Sequence, residues 1–407
     1  MKAAYIVDIL RTPIGKYGGT LASVRPDDLA SHVIKTLLHR NTSIDPKLIE
    51  DVVFGAANQA GEDNRNVARM ASLLAGLPVE VAGVTVNRLC ASGLQAIMDA
   101  SRAVMLGEGD VYIAGGAESM SRAPFVMAKN EELFSRKIEI YDSTLGWRFI
   151  NSKLSALYHP FSMGETAENV ATKWKISRQT QDEFACQSQL KYSKASGESR
   201  FAEEIISVVV PQQKGEPFVF EKDEHPRITS VERLALLKPA FSANGSVTAG
   251  NSSGINDGAA ACFIVSEEII KKLNLIPLVR VVSMAVAGVD PAYMGVGPVP
   301  ATIKALKRAG LKVNDIGLVE LNEAFASQSL ACLQDLELNS EIVNVNGGAI
   351  ALGHPLGCSG VRISATLIHE MQKRNVRYGL ATMCIGVGQG AAVVYENENL
   401  RSKELRR

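Results

Sequence analysis

The chain has 407 residues, about two to three times the length of an ordinary domain, which predicts at least two packed units. Hydrophobic residues make up 46% of it and charged residues 21%, a composition typical of a globular protein and unlike that of a disordered one. Its 43 Lys and Arg residues balance 43 Asp and Glu residues, so no net charge would attract nucleic acid or an anionic membrane.

The six cysteines stand singly along the chain, at positions 90, 186, 262, 332, 358 and 384. None forms a C-x-x-C pair, which argues against a disulfide scaffold and a structural zinc site. We therefore expect free thiols in a reducing, cytoplasmic compartment. The apolar stretch near the first residue is short and ends at Asp8, which predicts a first strand and not a signal peptide. No apolar run is long enough for a membrane span.

The first 120 residues alternate predicted strands with predicted helices. Asp27 is expected to cap a helix whose apolar residues recur at helical spacing over 29–38, and Ile49–Gly55 is expected to form a buried strand. A further strand at 84–86 is followed by Cys90 and a helical run. This alternation predicts a βαβ-type sheet covered by helices.

Cys90 lies between a predicted strand and a helical run that starts near Leu94. A helix N-terminus has free amides and a favourable dipole, which would lower the thiol pKa and favour a nucleophilic thiolate. The alternative is an inert buried cysteine, which is the commonest fate of a free thiol.

Residues 121–247 are more polar than their surroundings and contain both tryptophans, Trp147 and Trp174. The segment is too long for a simple loop, so we expect an inserted loop subdomain that carries a binding surface. Residues 248–268 are again rich in Gly and Ala, as the first half is. We therefore assign 1–120 with 248–268 to a first half, 269–397 to a second half, and 398–407 to a solvated basic tail.

The second half repeats features of the first. Positions 49 and 316, 92 and 359, and 114 and 381 each differ by 267. At this offset the strand Ile49–Gly55 matches Ile316–Asn322, and Cys90–Gly93 matches Gly357–Gly360. Three matches at one offset predict two duplicated halves. Pro300 is expected to begin a helix of the second half that ends at Gly310.

Three side chains of the second half are candidates for chemistry. His354 lies in a glycine-dense turn before a helix and suits a general base, although a lone histidine is more often structural. Cys384 ends a strand and opens Cys384–Gly390, where alternating glycines leave amides free to face an oxyanion. Asn322 ends another strand and is either an amide donor or a turn residue.

Cys90, Asn322, His354 and Cys384 all fall at predicted carboxyl ends of strands, the edge at which α/β sheets bind ligands. A thiol nucleophile, a base, a second thiol and glycine amides together fit acyl transfer. A cysteine hydrolase would also need Cys, His and Asn, but not a second active cysteine. A metal protein using these residues with Cys358 would more often have paired ligands. A non-catalytic scaffold is the third alternative.

Four segments resemble the sequence blocks of the thiolases: Asn87–Gly93, Asn322–Phe325, Gly347–Pro355 and Cys384–Gly388. Cys384 argues against the related decarboxylating condensing enzymes, which have a histidine block there. The resemblance extends to about residue 397. It implies the α/β thiolase fold, with two duplicated βαβ-type halves packed in α-β-α-β-α layers around an inserted loop subdomain. It also implies an acyltransferase that uses coenzyme A as a substrate, has no tightly bound cofactor or metal, and forms a dimer or a dimer of dimers.

The resemblance assigns a role to each catalytic candidate. Cys90 takes the acyl group, His354 activates Cys90 and helps hold the thioester oxygen, and Cys384 is the acid/base at the α-carbon. Asn322 positions a water in a first oxyanion hole. The amides of Cys90 and Gly386 form a second one.

Coenzyme A is expected on the inserted segment. Met163, Arg227 and Ser253 match family positions near its pantetheine or adenine.

Three further segments, Gln59–Asn66, Met120–Met127 and Leu145–Asn151, are similar to the 3-oxoadipyl-CoA thiolases of aromatic-acid breakdown. Those enzymes release succinyl-CoA and acetyl-CoA. The alternatives are an acetoacetyl-CoA thiolase and a general 3-ketoacyl-CoA thiolase of fatty-acid β-oxidation.

The chain departs from the 3-oxoadipyl-CoA pattern in one loop near the expected acyl pocket. Gly164 stands where proline is expected, and His159–Phe161 also differs. A distal carboxylate needs a cationic partner, for which Arg148 and His159 are candidates.

Overall fold

The computed structural model describes residues 2–130, 133–134, 136–212 and 214–400. Residues 401–407 of the predicted basic tail lie outside the described residues. None of the described helices is both long and apolar enough to cross a bilayer.

Strands and helices alternate along the described chain. The strands are β1 Ala4–Arg11, β2 Gly15–Lys16, β3 Asp51–Gly55, β4 Ala82–Val86, β5 Val111–Ser119, β6 Phe125–Met127, β7 Ile140–Asp142, β8 Val208–Val210, β9 Phe218–Phe220, β10 Asn256–Ser266, β11 Val279–Gly288, β12 Leu318–Leu321, β13 Tyr378–Ile385 and β14 Gln389–Asn397. The helices are α1 Pro26–Arg40, α2 Val67–Leu74, α3 Ser92–Leu106, α4 Ser152–Leu157, α5 Met163–Lys173, α6 Arg178–Gly197, α7 Val231–Ala235, α8 Glu267–Leu273, α9 Pro298–Ala309, α10 Ala326–Asp335, α11 Ala349–Leu352 and α12 Leu356–Arg374.

A mixed ten-stranded sheet runs in the order β12-β13-β14-β11-β1-β10-β5-β3-β4, with β2 paired to β10. In its first half β3 is parallel to β5, β5 is antiparallel to β10, and β10 is antiparallel to β1. In its second half β12, β13, β14 and β11 repeat this sequence of pairings. The halves are joined through the pairs Tyr5–Arg280 and Ile6–Val279 between β1 and β11.

The strand register reproduces the repeat found in the sequence. Val53 pairs with Ala114 in the first half, and Glu320 pairs with Ala381 in the second. Residues 53 and 320, like 114 and 381, differ by 267. The two halves therefore share their pairing residue by residue, as the duplication predicts.

Helices fill the space between the two halves and cover their outer faces. α3 and α12 pack against each other in the centre, α1 and α2 lie outside the first half, and α9 lies outside the second. Apolar side chains form a separate cluster in each of these layers. The predicted α-β-α-β-α layering is confirmed.

Two predicted helix starts are each wrong by two residues. Pro26 and Pro298 begin α1 and α9, because proline fits the first turn, where its missing N–H is not needed. The expected cap Asp27 instead lies in the first turn of α1. The predicted end of α9 is confirmed, because Gly310 has the left-handed φ of 70° that closes a helix.

Segment 121–247 contains α4 to α7 and the hairpins β6–β7 and β8–β9. A buried arginine of β1 holds it to the sheet. The Arg11 guanidinium donates to Asp223 Oδ1 at 2.6 Å and Oδ2 at 3.0 Å, and to Glu204 Oε1 at 2.7 Å. All three side chains are buried, so the segment is fixed to the first half by a desolvated charge cluster.

Candidate active site

A cavity of about 760 Å³ is lined by both halves of the sheet and by segment 121–247. The catalytic candidates Cys90, His354 and Cys384 all line it, as do the coenzyme candidates Met163, Arg227 and Ser253. Asn322 lies behind His354, and the Gly386 amide reaches the Cys90 sulfur. The structure therefore brings together all eight site residues singled out from the sequence.

A short turn between β4 and α3 presents Cys90. Leu89 has a left-handed φ of 47°, which is unusual for a branched residue. The Ser92 hydroxyl stabilises this turn, because it accepts from the Arg88 N–H at 2.9 Å and donates to the Leu89 carbonyl at 2.6 Å. Arg88 also donates to Gln389 Oε1 at 3.0 Å, which ties the turn to the second half.

The Cys90 thiol is less acidic than its position predicted. Its sulfur accepts from the backbone N–H groups of Gly386 and Cys90, which favour the thiolate. Burial has the larger effect and raises the pKa of Cys90 to about 11. The expected low thiol pKa is therefore wrong for the free protein, because α3 begins only at Ser92 and desolvation prevails. The thiol needs a base.

His354 can be that base, because its neighbours fix its tautomer. The Ser359 hydroxyl donates its hydrogen to the Pro355 carbonyl at 2.8 Å. Ser359 Oγ must then accept from His354 Nδ1–H, at 2.6 Å. The other ring nitrogen, Nε2, is left with a lone pair and receives the Asn322 Nδ2 amide at 3.4 Å.

His354 is neutral in the free protein. Burial, followed by the charge of Arg362, lowers the pKa of His354 to about 3.

The sequence predicted a strand before the His354 turn, but the short helix α11 stands there instead. In the first half, β4 pairs with β3 at the edge of the sheet. In the second half, the corresponding place beside β12 has only a single β-bridge, between Val319 and Val343. The His354 N–H donates to Asn256 Oδ1 at 2.9 Å, which holds the turn in place.

Asn322 is fully buried at the end of β12. Its backbone N–H donates to the Thr382 carbonyl at 3.0 Å, continuing the pairing with β13. The side-chain Oδ1 has no hydrogen-bond partner among the described residues. The Asn322 side chain thus donates from Nδ2 to His354 and leaves Oδ1 as an acceptor for another molecule.

Cys384 lies near the end of β13 and is 1% exposed. Burial, with a smaller contribution from Cys90, raises the pKa of Cys384 well above its ordinary value. A protonated thiol beside a second thiol can donate a proton to a developing carbanion.

The residues expected near coenzyme A lie along the cavity wall. The Ser253 N–H donates to the Ala324 carbonyl at 3.0 Å, and the Arg227 N–H donates to Gln189 Oε1 at 2.9 Å. The Arg227 side chain is exposed and also lines the cavity, where its charge suits an anionic group. The sulfur of Met163 lies 3.5 Å from the place where a Cβ on Gly386 would be, so this side chain reaches the catalytic end.

The two candidates for a distal carboxylate do not line the cavity. Arg148 donates to the Ser143 carbonyl at 3.2 Å, and His159 packs against the Phe161 ring at 4.5 Å. Both side chains are engaged by their own loop. Leu145 and Gly146 of that loop line the cavity in their place.

Sequence reasoning missed three residues that hold the site. Ser359 and Asn256 fix the ring and the backbone of His354. Glu118 accepts from the Gly357 N–H at 2.9 Å and from two amides after β3, which joins the start of α12 to the first half. Only Ser359, five residues after His354, lies close enough in sequence to have signalled its role.

The metal-site alternative finds no support in the described part of the chain. No group of three or more His, Cys, Asp or Glu side chains there could hold a metal ion. Cys358 is buried in the first turn of α12 and does not line the cavity.

Two family models match consecutive parts of the chain: the thiolase N-terminal domain over residues 4–268 and the thiolase C-terminal domain over 275–397. The chain is 55% identical over 399 residues to an Escherichia coli K12 protein named 3-oxoadipyl-CoA/3-oxo-5,6-dehydrosuberyl-CoA thiolase, covering 97% of this chain and 100% of that protein. It is 53% identical over 399 residues to a beta-ketoadipyl-CoA thiolase of Acinetobacter baylyi, again covering 97% of this chain and 100% of that protein.

Solved structures match over nearly the whole chain. The Bacillus anthracis acetyl-CoA acetyltransferase has a TM-score of 0.92 at 41% identity and covers 98% of this chain and 99% of its own. Human mitochondrial 3-ketoacyl-CoA thiolase in complex with CoA has a TM-score of 0.90 at 40% identity and covers 97% of this chain and 98% of its own.

Proposed function

Because the chain belongs to the thiolase family, and is thus an acyltransferase, we propose that it cleaves 3-oxoadipyl-CoA with coenzyme A to succinyl-CoA and acetyl-CoA. One observation carries the chemistry: Cys90, His354 and Cys384 line one cavity, with the Gly386 amide directed at the Cys90 sulfur. The names of the relatives at 53% and 55% identity support the substrate.

In the first step, His354 Nε2 takes the Cys90 proton, and the thiolate attacks the C3 carbonyl of the substrate. The C2–C3 bond then breaks, and its electron pair forms the enolate of acetyl-CoA. Cys384 supplies the proton that converts this enolate into acetyl-CoA, while the acyl group remains on Cys90 as a thioester. The imidazolium and a water held by Asn322 Oδ1 would stabilise the enolate oxygen.

In the second step, the Cys384 thiolate removes the proton of the incoming coenzyme A thiol. The new thiolate attacks the acyl-Cys90 carbonyl, whose oxyanion accepts from the Cys90 and Gly386 amides. Cys90 leaves as a thiolate and recovers its proton from His354. Each half-reaction thereby restores the protons that the other used.

We place coenzyme A along segment 121–247, with Met163, Arg227 and Ser253 as its contacts. The segment supplies part of the cavity wall, including Met163 and Arg227. We also propose that the protein is a cytoplasmic homo-oligomer, either a dimer or a dimer of dimers. Large apolar side chains exposed around β6 and β7, such as Phe125 at 74% and Ile140 at 64%, support self-association. Light scattering would determine the size.

Labelling tests the mechanism. Incubation with acetyl-CoA should add one acetyl group to the tryptic peptide that contains Cys90. Cys90→Ala should abolish activity, and Cys384→Ser should keep acyl-enzyme formation but lose condensation. An unlabelled Cys90 peptide would refute the nucleophile, and survival of both steps in the Cys384 variant would refute the acid/base.

A substrate comparison tests the specificity. We expect kcat/KM to be higher for 3-oxoadipyl-CoA than for acetoacetyl-CoA or a medium-chain 3-ketoacyl-CoA. A preference for acetoacetyl-CoA would instead support the acetyl-CoA acetyltransferase function.

A further inference from the structure

Arg362 on α12 is fully buried, yet its three side-chain nitrogens have no hydrogen-bond partner among the described residues. Its Nη1 lies 3.6 Å from Oε2 of Glu320 on β12, and that oxygen has no hydrogen-bond partner among them either. Arg11 is equally buried but donates to Asp223 and Glu204 at 2.6 to 3.0 Å. Arg362 and Glu320 are thus paired by charge and not fastened as Arg11 is.

This pair lies directly behind the side chains that hold His354. Alternate residues of β12 face the central and the outer apolar clusters, so Glu320 points to the same side as Asn322, toward α12. On α12, Arg362 follows Ser359 by three residues, which places both on one face of the helix. Asn322 and Ser359 contact the two ring nitrogens of His354. The charged pair is therefore the next layer behind both contacts.

Glu320 is the carboxylate that can balance the charge of Arg362. That charge disfavours the protonated form of His354. Glu204 also attracts Arg362, but it is already bound by Arg11, whose Nε donates to Glu204 Oε1 at 2.7 Å. In the described part of the chain, Glu320 forms an ion pair with Arg362 alone. Neutralisation of Arg362 therefore depends on Glu320.

We propose that Glu320 is a positioning residue for catalysis, whose carboxylate neutralises Arg362 so that His354 can become an imidazolium when it takes the Cys90 proton. The proposal rests on the thiolytic mechanism proposed above. Without the carboxylate charge, the imidazolium would form near an unbalanced guanidinium, and the proton transfer from Cys90 would slow. Substrate binding would not change, because His354 stays neutral until that transfer.

The charge of Glu320 depends on pH. Burial raises the pKa of Glu320 to about 8, because it outweighs the opposing effect of Arg362, and the acidic groups of Glu323, Glu204 and Glu370 add to the rise. The carboxyl is therefore ionised at pH 9 and protonated at pH 6, where a glutamine has the same charge. The native protein and Glu320→Gln should differ at pH 9 and converge at pH 6.

Thiolysis of acetoacetyl-CoA measures this difference. At pH 9 we expect Glu320→Gln to lower kcat by about 10- to 100-fold and to leave both KM values within about threefold; at pH 6 its kcat should lie within about threefold of native. Arg362→Gln breaks the same pair but removes the cation, so it should escape this loss at pH 9 and exceed native kcat by about tenfold or more at pH 6. Glu396→Gln on β14 is the matched control, because it breaks another pair with a buried carboxylate, at 2.6 Å from Arg280, and should leave kcat unchanged.

Equal losses in Glu320→Gln and Arg362→Gln would show that the pair only holds the fold, and would overturn the proposal. A loss of the same size at both pH values, or one confined to KM, would overturn it as well. If Glu320→Gln does not fold, Glu320→Gln/Arg362→Gln takes its place, because it buries neither charge. Its kcat should match native at pH 9 and exceed native at pH 6, and a double variant slower than native at both would refute the charge argument.

The choice of acetoacetyl-CoA separates this proposal from the proposed function. If the variants differ as expected while 3-oxoadipyl-CoA is not cleaved, the role of Glu320 stands and the proposed substrate is wrong. If 3-oxoadipyl-CoA is cleaved and the Glu320 variant behaves like the native protein at pH 9, the proposed function stands and the role of Glu320 is wrong.

Discussion

Ser359→Ala should impair catalysis although Ser359 does not line the cavity. In the native site, the Ser359 hydroxyl accepts from His354 Nδ1–H at 2.6 Å because its own hydrogen is committed to the Pro355 carbonyl. Removing the hydroxyl leaves a buried N–H without a partner, which costs about 1–3 kcal/mol. The ring can avoid this cost by moving the proton to Nε2, but then Nε2 can no longer accept the Cys90 proton.

The rate should fall because the active tautomer, with the proton on Nδ1, loses population. A penalty of about 1–3 kcal/mol on the active tautomer corresponds to a loss in kcat/KM of about 5- to 150-fold. Steady-state thiolysis of acetoacetyl-CoA measures this loss. Nitrogen NMR of labelled histidine should show the His354 proton on Nδ1 in the native protein and on Nε2 in the variant.

Ser364→Ala is the matched control for Ser359→Ala. Ser364 is also buried on α12, but it donates to the Gly360 carbonyl at 2.8 Å and lies 2.9 Å from the Tyr395 hydroxyl, away from His354. It should cost about 0.5–1.5 kcal/mol of stability and leave kcat/KM unchanged. Native kcat/KM in Ser359→Ala, or an equal loss in both variants, would refute the tautomer argument.

Three further predictions concern the thiol, the charge cluster and the central helices. Because burial raises the pKa of Cys90 to about 11, alkylation of substrate-free Cys90 by iodoacetamide should keep accelerating with pH from 7 to 10; a plateau near pH 8 would contradict this. Arg11→Met should cost about 3–5 kcal/mol in urea unfolding, because it leaves buried carboxylates unpaired. The exposed-pair control Lys271→Met should cost about 0–1 kcal/mol, and equal losses would contradict the burial argument. Gly93→Ala should cost about 1–3 kcal/mol, since its Cβ would stand 2.6 Å from the Gly357 carbonyl oxygen, and an unchanged thermal midpoint would argue against this contact.

The layered fold could be predicted because its signals are local or repeated. Strand and helix periodicity located β3, β12 and α3, and the 267-residue offset matched the halves before any pairing was known. The single turn that replaces a strand before His354 could not be predicted, because it depends on how the second half packs against segment 121–247. There Ser188 Oγ accepts from the Gly348 N–H at 3.0 Å, a contact between residues 160 apart.

The reactive groups of the site could be predicted from the sequence, but their pKa values could not. Thiols and an imidazole beside glycines are visible in the sequence, so Cys90, His354 and Cys384 could be chosen without a structure. Their pKa values depend on desolvation, which no local pattern reports, and so the expected acidity of Cys90 was wrong.

The position of the site follows from how the duplicated halves meet. At the offset of 267, Gly357 is the counterpart of Cys90 and Gly360 is the counterpart of Gly93. A Cβ on Gly93 would press on the Gly357 carbonyl, and a Cβ on Gly360 would overlap the amide of Leu94, so each copy uses the same glycine to admit the other helix. Glu118 then accepts from the Gly357 N–H.

The candidate active site takes its groups from both halves at this junction. The first half supplies the Cys90 sulfur, whereas the second supplies His354, Cys384 and the Gly386 amide that the sulfur accepts from. At the position where the second copy would repeat the thiol stands Gly357, whose N–H is instead bound by Glu118 of the first half. At this related position the second half thus has a backbone contact with the first half, three residues after His354, in place of a thiol.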